Sequence, residues 1–194
     1  ILDKYTPRYV VLDPVMVSTS GHKLIEDDTI DIIRETMFSR STIITPNLDE
    51  ATLLSTIPIS EEKDMYKAGK KLLAKGCRAV LMKGGHLKSK IMTDLLLTAD
   101  GEEYIFKAEN ITTPNTHGTG CTLSSAIASY LALGYSLPDS VKRAKQFVTS
   151  AIKTGSKVTT GKGHGPLNHF FAPHSLLILK KEDDIPPNSQ QQKQ

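Results

Sequence analysis

Tryptophan is absent, cysteine occurs twice, and aromatic residues make up only 6% of the chain. No apolar run approaches the ~20 residues that a membrane-spanning helix needs, so no membrane partner is expected. The opening stretch ILDKYTPRYVVLDP lacks a charged segment followed by an apolar one, so it does not read as a secretory signal. Cys77 and Cys121 are too few for a disulfide framework, which argues for a reducing compartment, with the cytoplasm as the default. The net charge is +3, and lysines and arginines are interspersed with acids. A nucleic-acid partner needs a clustered basic face, and none is expected here.

What is present is an ordinary globular composition, 39% hydrophobic and 23% charged over 194 residues, enough to bury one sizeable core. RYVVLDP (8–14), STIIT (41–45) and CRAVLMK (77–83) are short apolar runs of the kind that form strands buried on both faces. Between them, Ile30, Ile33 and Met37 recur at helical spacing. Asn47 opens a helix with Glu50 three residues on, and Met65, Ala68, Leu72 and Leu73 line another helix, capped by Ser60 and stopped by Gly76. IMTDLLLT and EEYIFKA flank a turn at Asp100-Gly101 and predict an antiparallel hairpin. Helices follow from Thr122 to Leu133 and from about Pro138, then a loop, GKGHGPLNHF. The polar stretch from Lys180 onward reads as disordered. Strands alternating with helices predict an α/β fold: a mostly parallel sheet covered on both faces, with ligands at the carboxyl ends of its strands. DPVM, TPNLDE and KGGH punctuate three such ends.

The unusual stretch is NTHGTGCT (115–122), a side-chain-poor loop leading into a helix with a cysteine at its head. Amides at a helix start lack intrahelical partners and the helix dipole adds positive charge there, so Gly118, Thr119, Gly120 and Cys121 form a candidate cradle for phosphate. The same position favours a thiolate, which makes Cys121 a candidate base or nucleophile. The competing reading is a tight turn capped by Thr119 with an inert buried cysteine. Neither a Walker loop nor a complete dinucleotide fingerprint occurs. Asn47 and Glu50 suit Mg²⁺ held partly through water, or else a simple helix cap. Lys83, beside Gly84 and Gly85, is a compact cation able to reach phosphate, or else a strand end. The histidines show no zinc-like spacing, and Cys77 reads as a small core residue.

Taken in order, DPVMVSTSG, TPNLDEA, KGGH, NTHGTGCTLSSAIASYLALG and GKGHGPLNHF resemble the successive signatures of the hydroxymethylpyrimidine/phosphomethylpyrimidine kinases of thiamine biosynthesis, members of the ribokinase-like superfamily. The likeness runs from Arg8 to about Phe171, and the cysteine in HGTGC is its specific part, since most sugar kinases of that superfamily carry aspartate there. The resemblance implies a three-layer αβα sandwich and an enzyme that uses ATP and Mg²⁺ to phosphorylate 4-amino-5-hydroxymethyl-2-methylpyrimidine and then its monophosphate. It implies that Cys121 takes the proton from the substrate hydroxyl while Gly118, Thr119 and Gly120 help to form the anion hole. It further implies that Asn47 and Glu50 position Mg²⁺ and phosphate, and that Lys83, Gly84 and Gly85 lie on the nucleotide side. His117, Lys145 and a backbone contact at Val15 are implied to lie near the substrate, and a homodimer is implied as the assembly.

Only twelve residues precede Asp13, whereas the family begins with whole βα units that carry a glycine-rich segment and much of the pyrimidine pocket. The expectation is therefore the C-terminal portion of a kinase domain over 1–172 and a polar tail over 173–194. Such a piece should be poorly soluble or need a partner, and weak as a kinase on its own. Three alternatives stand beside the leading reading: a pyridoxal kinase of the same superfamily, a thiol hydrolase or acyltransferase using Cys121, and a nucleotide-binding remnant without turnover.

Overall fold

The computed structural model describes residues 1–16, 24–85, 91–159 and 161–173. In chain order the elements are α1 (Leu2–Tyr5), β1 (Val11–Leu12), α2 (Asp27–Met37), β2 (Ile43–Ile44), α3 (Leu48–Ser55), α4 (Glu62–Ala74), β3 (Ala79–Lys83), β4 (Ile91–Thr98), β5 (Glu103–Glu109), α5 (Thr119–Ala132) and α6 (Leu137–Gly155). His86 and the tail read as disordered lie outside the described residues.

The five strands form one sheet in the order β1-β2-β3-β4-β5. β1, β2 and β3 run parallel, joined by helical crossovers, and the β4–β5 hairpin extends the sheet antiparallel from β3. Side chains alternate across a strand, so β1 to β4 each feed two cores, whereas β5 leaves one face exposed. Ile44, Val80, Met82, Leu95 and Leu97 pack with residues of α2, α3 and α4, among them Ile30, Leu54, Met65 and Leu72. Ile43, Ala79, Leu81 and Leu96 face the opposite way, against Leu123, Ile127 and Leu131 of α5 and Ala144 and Val148 of α6. The result is the expected three-layer arrangement of a ribokinase-like α/β fold.

Two local expectations are corrected. Strand pairing covers fewer residues than the apolar runs at 8–14 and 41–45, and Val11 and Leu12 are half-buried because β1 is an edge strand with β2 as its partner. Ser60 does not cap α4; Glu61 is the residue at that boundary, and the Ser60 hydroxyl donates instead to the Asp64 carboxylate at 3.0 Å. The last long helix does begin where proline predicts: Ser136 caps α6 by accepting the Asp139 N–H, with Pro138 in the first turn, where its missing N–H costs nothing. Among the described residues, no helix is long and apolar enough to cross a membrane.

Leu81 is fully buried in the core beneath α5 and α6. Leu81→Ala should cost about 2–5 kcal/mol of stability, read as a lowered urea midpoint, because a close-packed site cannot collapse around the lost volume. A cost below about 1 kcal/mol would contradict this account of the core.

Candidate active site

Strand alternation decides which polar residues meet beneath α5. Asp13 follows Val11, Thr45 follows Ile43 and Lys83 follows Leu81, each two residues on, so all three share the α5/α6 face just beyond the apolar residues. They do meet. The Thr45 hydroxyl donates to Asp13 Oδ1 at 3.0 Å, and Lys83 Nζ pairs with the same oxygen at 3.0 Å. Both partners of the ion pair are largely shielded, with 18% of the Lys83 side chain and 12% of that of Asp13 exposed. The start of α5 sits directly on this pair: a Cβ added at Gly120 would lie 3.3 Å from Asp13 Oδ2 and 3.4 Å from Lys83 Nζ.

The loop before α5 reaches that position through a left-handed turn at Gly118, φ 85°, a conformation that side chains disfavour. The first intrahelical bond runs from the Thr122 N–H to the Gly118 carbonyl at 2.9 Å, which leaves the Gly120 and Cys121 amides ahead of the helical ladder. The Thr119 amide turns back to the Thr116 carbonyl at 3.3 Å, and the Thr119 hydroxyl donates to the same carbonyl at 2.7 Å. Thr119 therefore neither caps the helix nor offers a free amide. Of the expected four residues, Thr119 has its amide engaged within the loop. Cys121 itself is exposed, not an inert core thiol. Behind the loop, the buried Asn115 side-chain amide donates to the carbonyls of Gly155 at 2.8 Å and Val158 at 2.6 Å. Gly165 presses so closely on Asn115 that an added Cβ would lie 2.0 Å from its Oδ1.

Asn47 and Glu50 form a full capping box: the Glu50 N–H donates to Asn47 Oδ1 at 2.9 Å and the Asn47 N–H to Glu50 Oε2 at 2.8 Å. The helix-cap reading is thus observed. Glu50 is 3% exposed, and its carboxyl is held above the ordinary 4.5, first by burial and also by the Asp13 charge. Asn47 Nδ2 is not used by the cap, and the residue bridges to Lys83 across the β2–β3 ends. Among the described residues, no cluster of three histidines, cysteines or acids exists that would cage a metal. Glu50 with nearby Asp13 suits Mg²⁺ of the other kind, held by one or two carboxylates and by a ligand's phosphates.

The remaining expected residues fall differently. Val15 is exposed on the loop beyond β1, with its N–H bonded to the Asp13 carbonyl at 3.0 Å. The His117 side chain is exposed, and its N–H ties the loop to the Gly165 carbonyl at 3.2 Å. Gly84 is buried and Gly85 exposed at the end of β3. Lys145 is buried, its ammonium paired with Asp94. Cys77 is buried, and burial pushes its thiol up to about 12, as befits a core residue. Two residues escaped the sequence reading. Asp13 was visible only as the Asp-Pro that ends a strand. His169 lines a cavity of about 500 Å³ with Cys121, Tyr130 and Phe147, and its Nε2 lies 2.8 Å from the Thr122 hydroxyl. Nothing in the sequence spacing ties His169 to α5.

Known proteins match most of the chain. The family model described as phosphomethylpyrimidine kinase matches residues 1–168. The hydroxymethylpyrimidine/phosphomethylpyrimidine kinase of Salmonella typhimurium is 42% identical over 172 residues, covering 88% of this chain and 64% of the relative. The structure of the pyridoxal kinase from Staphylococcus aureus in complex with AMP-PCP superposes with a TM-score of 0.77 at 32% identity, over 87% of this chain and 60% of that one. The phosphomethylpyrimidine kinase from Clostridium difficile gives a TM-score of 0.67 at 40% identity, over 78% and 60%. The chain thus spans less than two thirds of the length of each of these proteins.

The raised Glu50 pKa carries a sign. A group whose pKa is higher folded than unfolded contributes stability that is complete below its unfolded value and is lost as pH rises through the folded one. Glu50 should therefore make the fold less stable with rising pH in the window above 4.5. Glu50→Gln, which still accepts the Asn47 N–H, should flatten that slope and at neutral pH leave the urea midpoint equal or higher. An unchanged slope would show that Glu50 ionises without penalty.

Proposed function

The chain belongs to the phosphomethylpyrimidine kinase family, and on that premise we propose that it supplies the phosphoryl-transfer centre of an ATP-dependent kinase acting on a hydroxymethylpyrimidine and then on its monophosphate. The single observation that carries this reading is the Lys83–Asp13 pair facing Gly120, where an added Cβ would lie 3.4 Å from Lys83 Nζ, one residue from an exposed Cys121. Phosphoryl transfer asks little covalent chemistry of a protein; it asks for positioning, positive charge and one base. Each has a holder here. The Gly120 and Cys121 amides face the equatorial oxygens of the migrating phosphoryl group, with the helix dipole behind them. Lys83 adds a full positive charge from the strand side, held in place by Asp13, itself fixed by Thr45.

Cys121, as the thiolate, accepts the hydroxyl proton of the substrate while the substrate oxygen bonds to the γ-phosphorus and the bond from that phosphorus to ADP breaks. The second transfer uses the same cradle with a phosphate monoester as acceptor. Glu50 and Asp13 are the carboxylates that would hold Mg²⁺, with Asn47 beside them, and the ion would supply neutralisation of the phosphate oxygens. Gly84 and Gly85 border the nucleotide side, while Val15 and His117 stand exposed where a substrate can reach them. A homodimer and a cytoplasmic location belong to the same proposal.

A pyridoxal kinase is the second reading, supported by the superposition on the Staphylococcus aureus enzyme. The thiol-hydrolase reading loses ground, because His169, the histidine that lines the Cys121 cavity, has Nε2 engaged by Thr122.

In the polypeptide that carries this chain, Cys121→Ala should lower kcat by about 10²–10⁴-fold, the range for a lost general base. ATP affinity should stay close to that of the parent. Equal activity of the variant would remove Cys121 from the chemistry. Parallel assays with hydroxymethylpyrimidine and pyridoxal decide the substrate: the reading given first requires the higher kcat/KM for the pyrimidine.

A further inference from the structure

A second ion pair lies beside the first and has no part in the chemistry above. Asp94 of β4 and Lys145 of α6 are in contact, each with 11% of its side chain exposed. Asp94 is also the register partner of Lys83 across the β3–β4 ladder. Directly opposed residues of an antiparallel pair project from the same face with Cβ atoms about 4.5–5.5 Å apart. The nearest carboxylate to Lys83 by strand geometry is therefore Asp94, yet Lys83 pairs with Asp13 instead. The difference is Lys145, which occupies Asp94 Oδ2 from the helix side. The other oxygen, Oδ1, accepts the Gly84 N–H at 3.0 Å. That bond stands in for the next rung of the ladder, where Gly84 comes so close to the Thr93 carbonyl that an added Cβ would lie 1.9 Å from its oxygen.

We propose that Lys145 and Asp94 are positioning residues for Lys83: Lys145 neutralises Asp94, which leaves the Lys83 ammonium directed at Asp13 and the Gly120 backbone, where a nucleotide's phosphate is received. Burying an ion pair is costly, and apolar groups of equal volume often serve stability as well or better. A positioning role accounts for the pair where stability does not. Four charges then alternate under α5 and α6 in the order Asp13, Lys83, Asp94, Lys145. Removing the last leaves an uncompensated buried carboxylate within reach of Lys83. Lys83 is drawn towards Asp94 and away from the phosphate position. This gives Lys145 an indirect role, through Asp94 and Lys83, in place of a direct substrate contact.

The inference rests on the phosphate-binding role given to Lys83 and Gly120, and the test separates the two. ATP affinity is measured by calorimetry for the parent polypeptide, Lys145→Met, Asp94→Asn and the double variant Asp94→Asn/Lys145→Met. Lys145→Met should bind ATP about 10- to 100-fold more weakly, the loss of a charge-assisted contact. The double variant should recover most of that affinity, since the competing charge is gone and an asparagine Oδ1 still accepts the Gly84 N–H. Rescue by removing a second charge is a result that a merely structural role for Lys145 would not give. If Lys145→Met does not fold, the double variant still decides: folded, with ATP affinity near that of the parent, it supports the role; folded and as weak as Lys83→Met, it overturns it. Unchanged affinity in Lys145→Met, or no recovery in the double, also overturns it. A parent that binds no ATP overturns the phosphate-binding reading and this one with it.

Discussion

The ammonium of Lys83 pairs with the carboxylate of Asp13 where both face Gly120, and this one placement draws on every layer of the fold. The parallel strands bring their carboxyl ends together, so that residues two beyond Val11, Ile43 and Leu81 share a small shielded space. The core packed between the sheet and α5 sets how close the helix start can come. A side chain at Gly120 would crowd the pair, its Cβ lying 3.3 Å from Asp13 Oδ2. In a partly dry setting the attraction between opposite charges is several times stronger than in water, so the pair acts as a spacer as much as a bond. Phosphate arriving there would meet a cation already oriented and amides already lacking partners, which spares reorganisation at the moment of transfer.

Burial makes the carboxylates unequal. Asp13 has both a lysine and a hydroxyl on one oxygen, whereas Glu50 sits deeper, feels Asp13 as a like charge, and holds its proton more readily than a free glutamate. Glu50 also completes a helix cap. A residue that both starts α3 and borders the site links the position of a whole helix to the charge state of the site. Asn47, bridging to Lys83, carries that link to β3.

Much of this was legible in the sequence, and the reasons are physical. Apolar runs ended by Asp-Pro, Pro-Asn and Gly-Gly report local chain geometry, so the strands, the helices and the polar strand ends could be read in order. The capping box of α3 follows from two residues three apart. The helix start at 118–121 was readable because glycines and a cysteine there have few other uses together. What could not be read were relations set by side chains meeting across the sheet. Asp13 gains its meaning only from Lys83, seventy residues on. Nothing in IMTDLLLT sets Asp94 apart, Lys145 was expected near the substrate and not beside Asp94, and His169 reads as a loop residue. Thr119 could have capped the helix by accepting an N–H, but its hydroxyl donates to the Thr116 carbonyl instead.

The clasp between Asn115 and Gly165 makes one unit of stretches that lie far apart in the chain. Through it the loop ahead of α5 is fastened to the far end of α6 and to the segment that follows. Whatever shifts the end of α6 is thereby felt at the stretch that leads to Cys121.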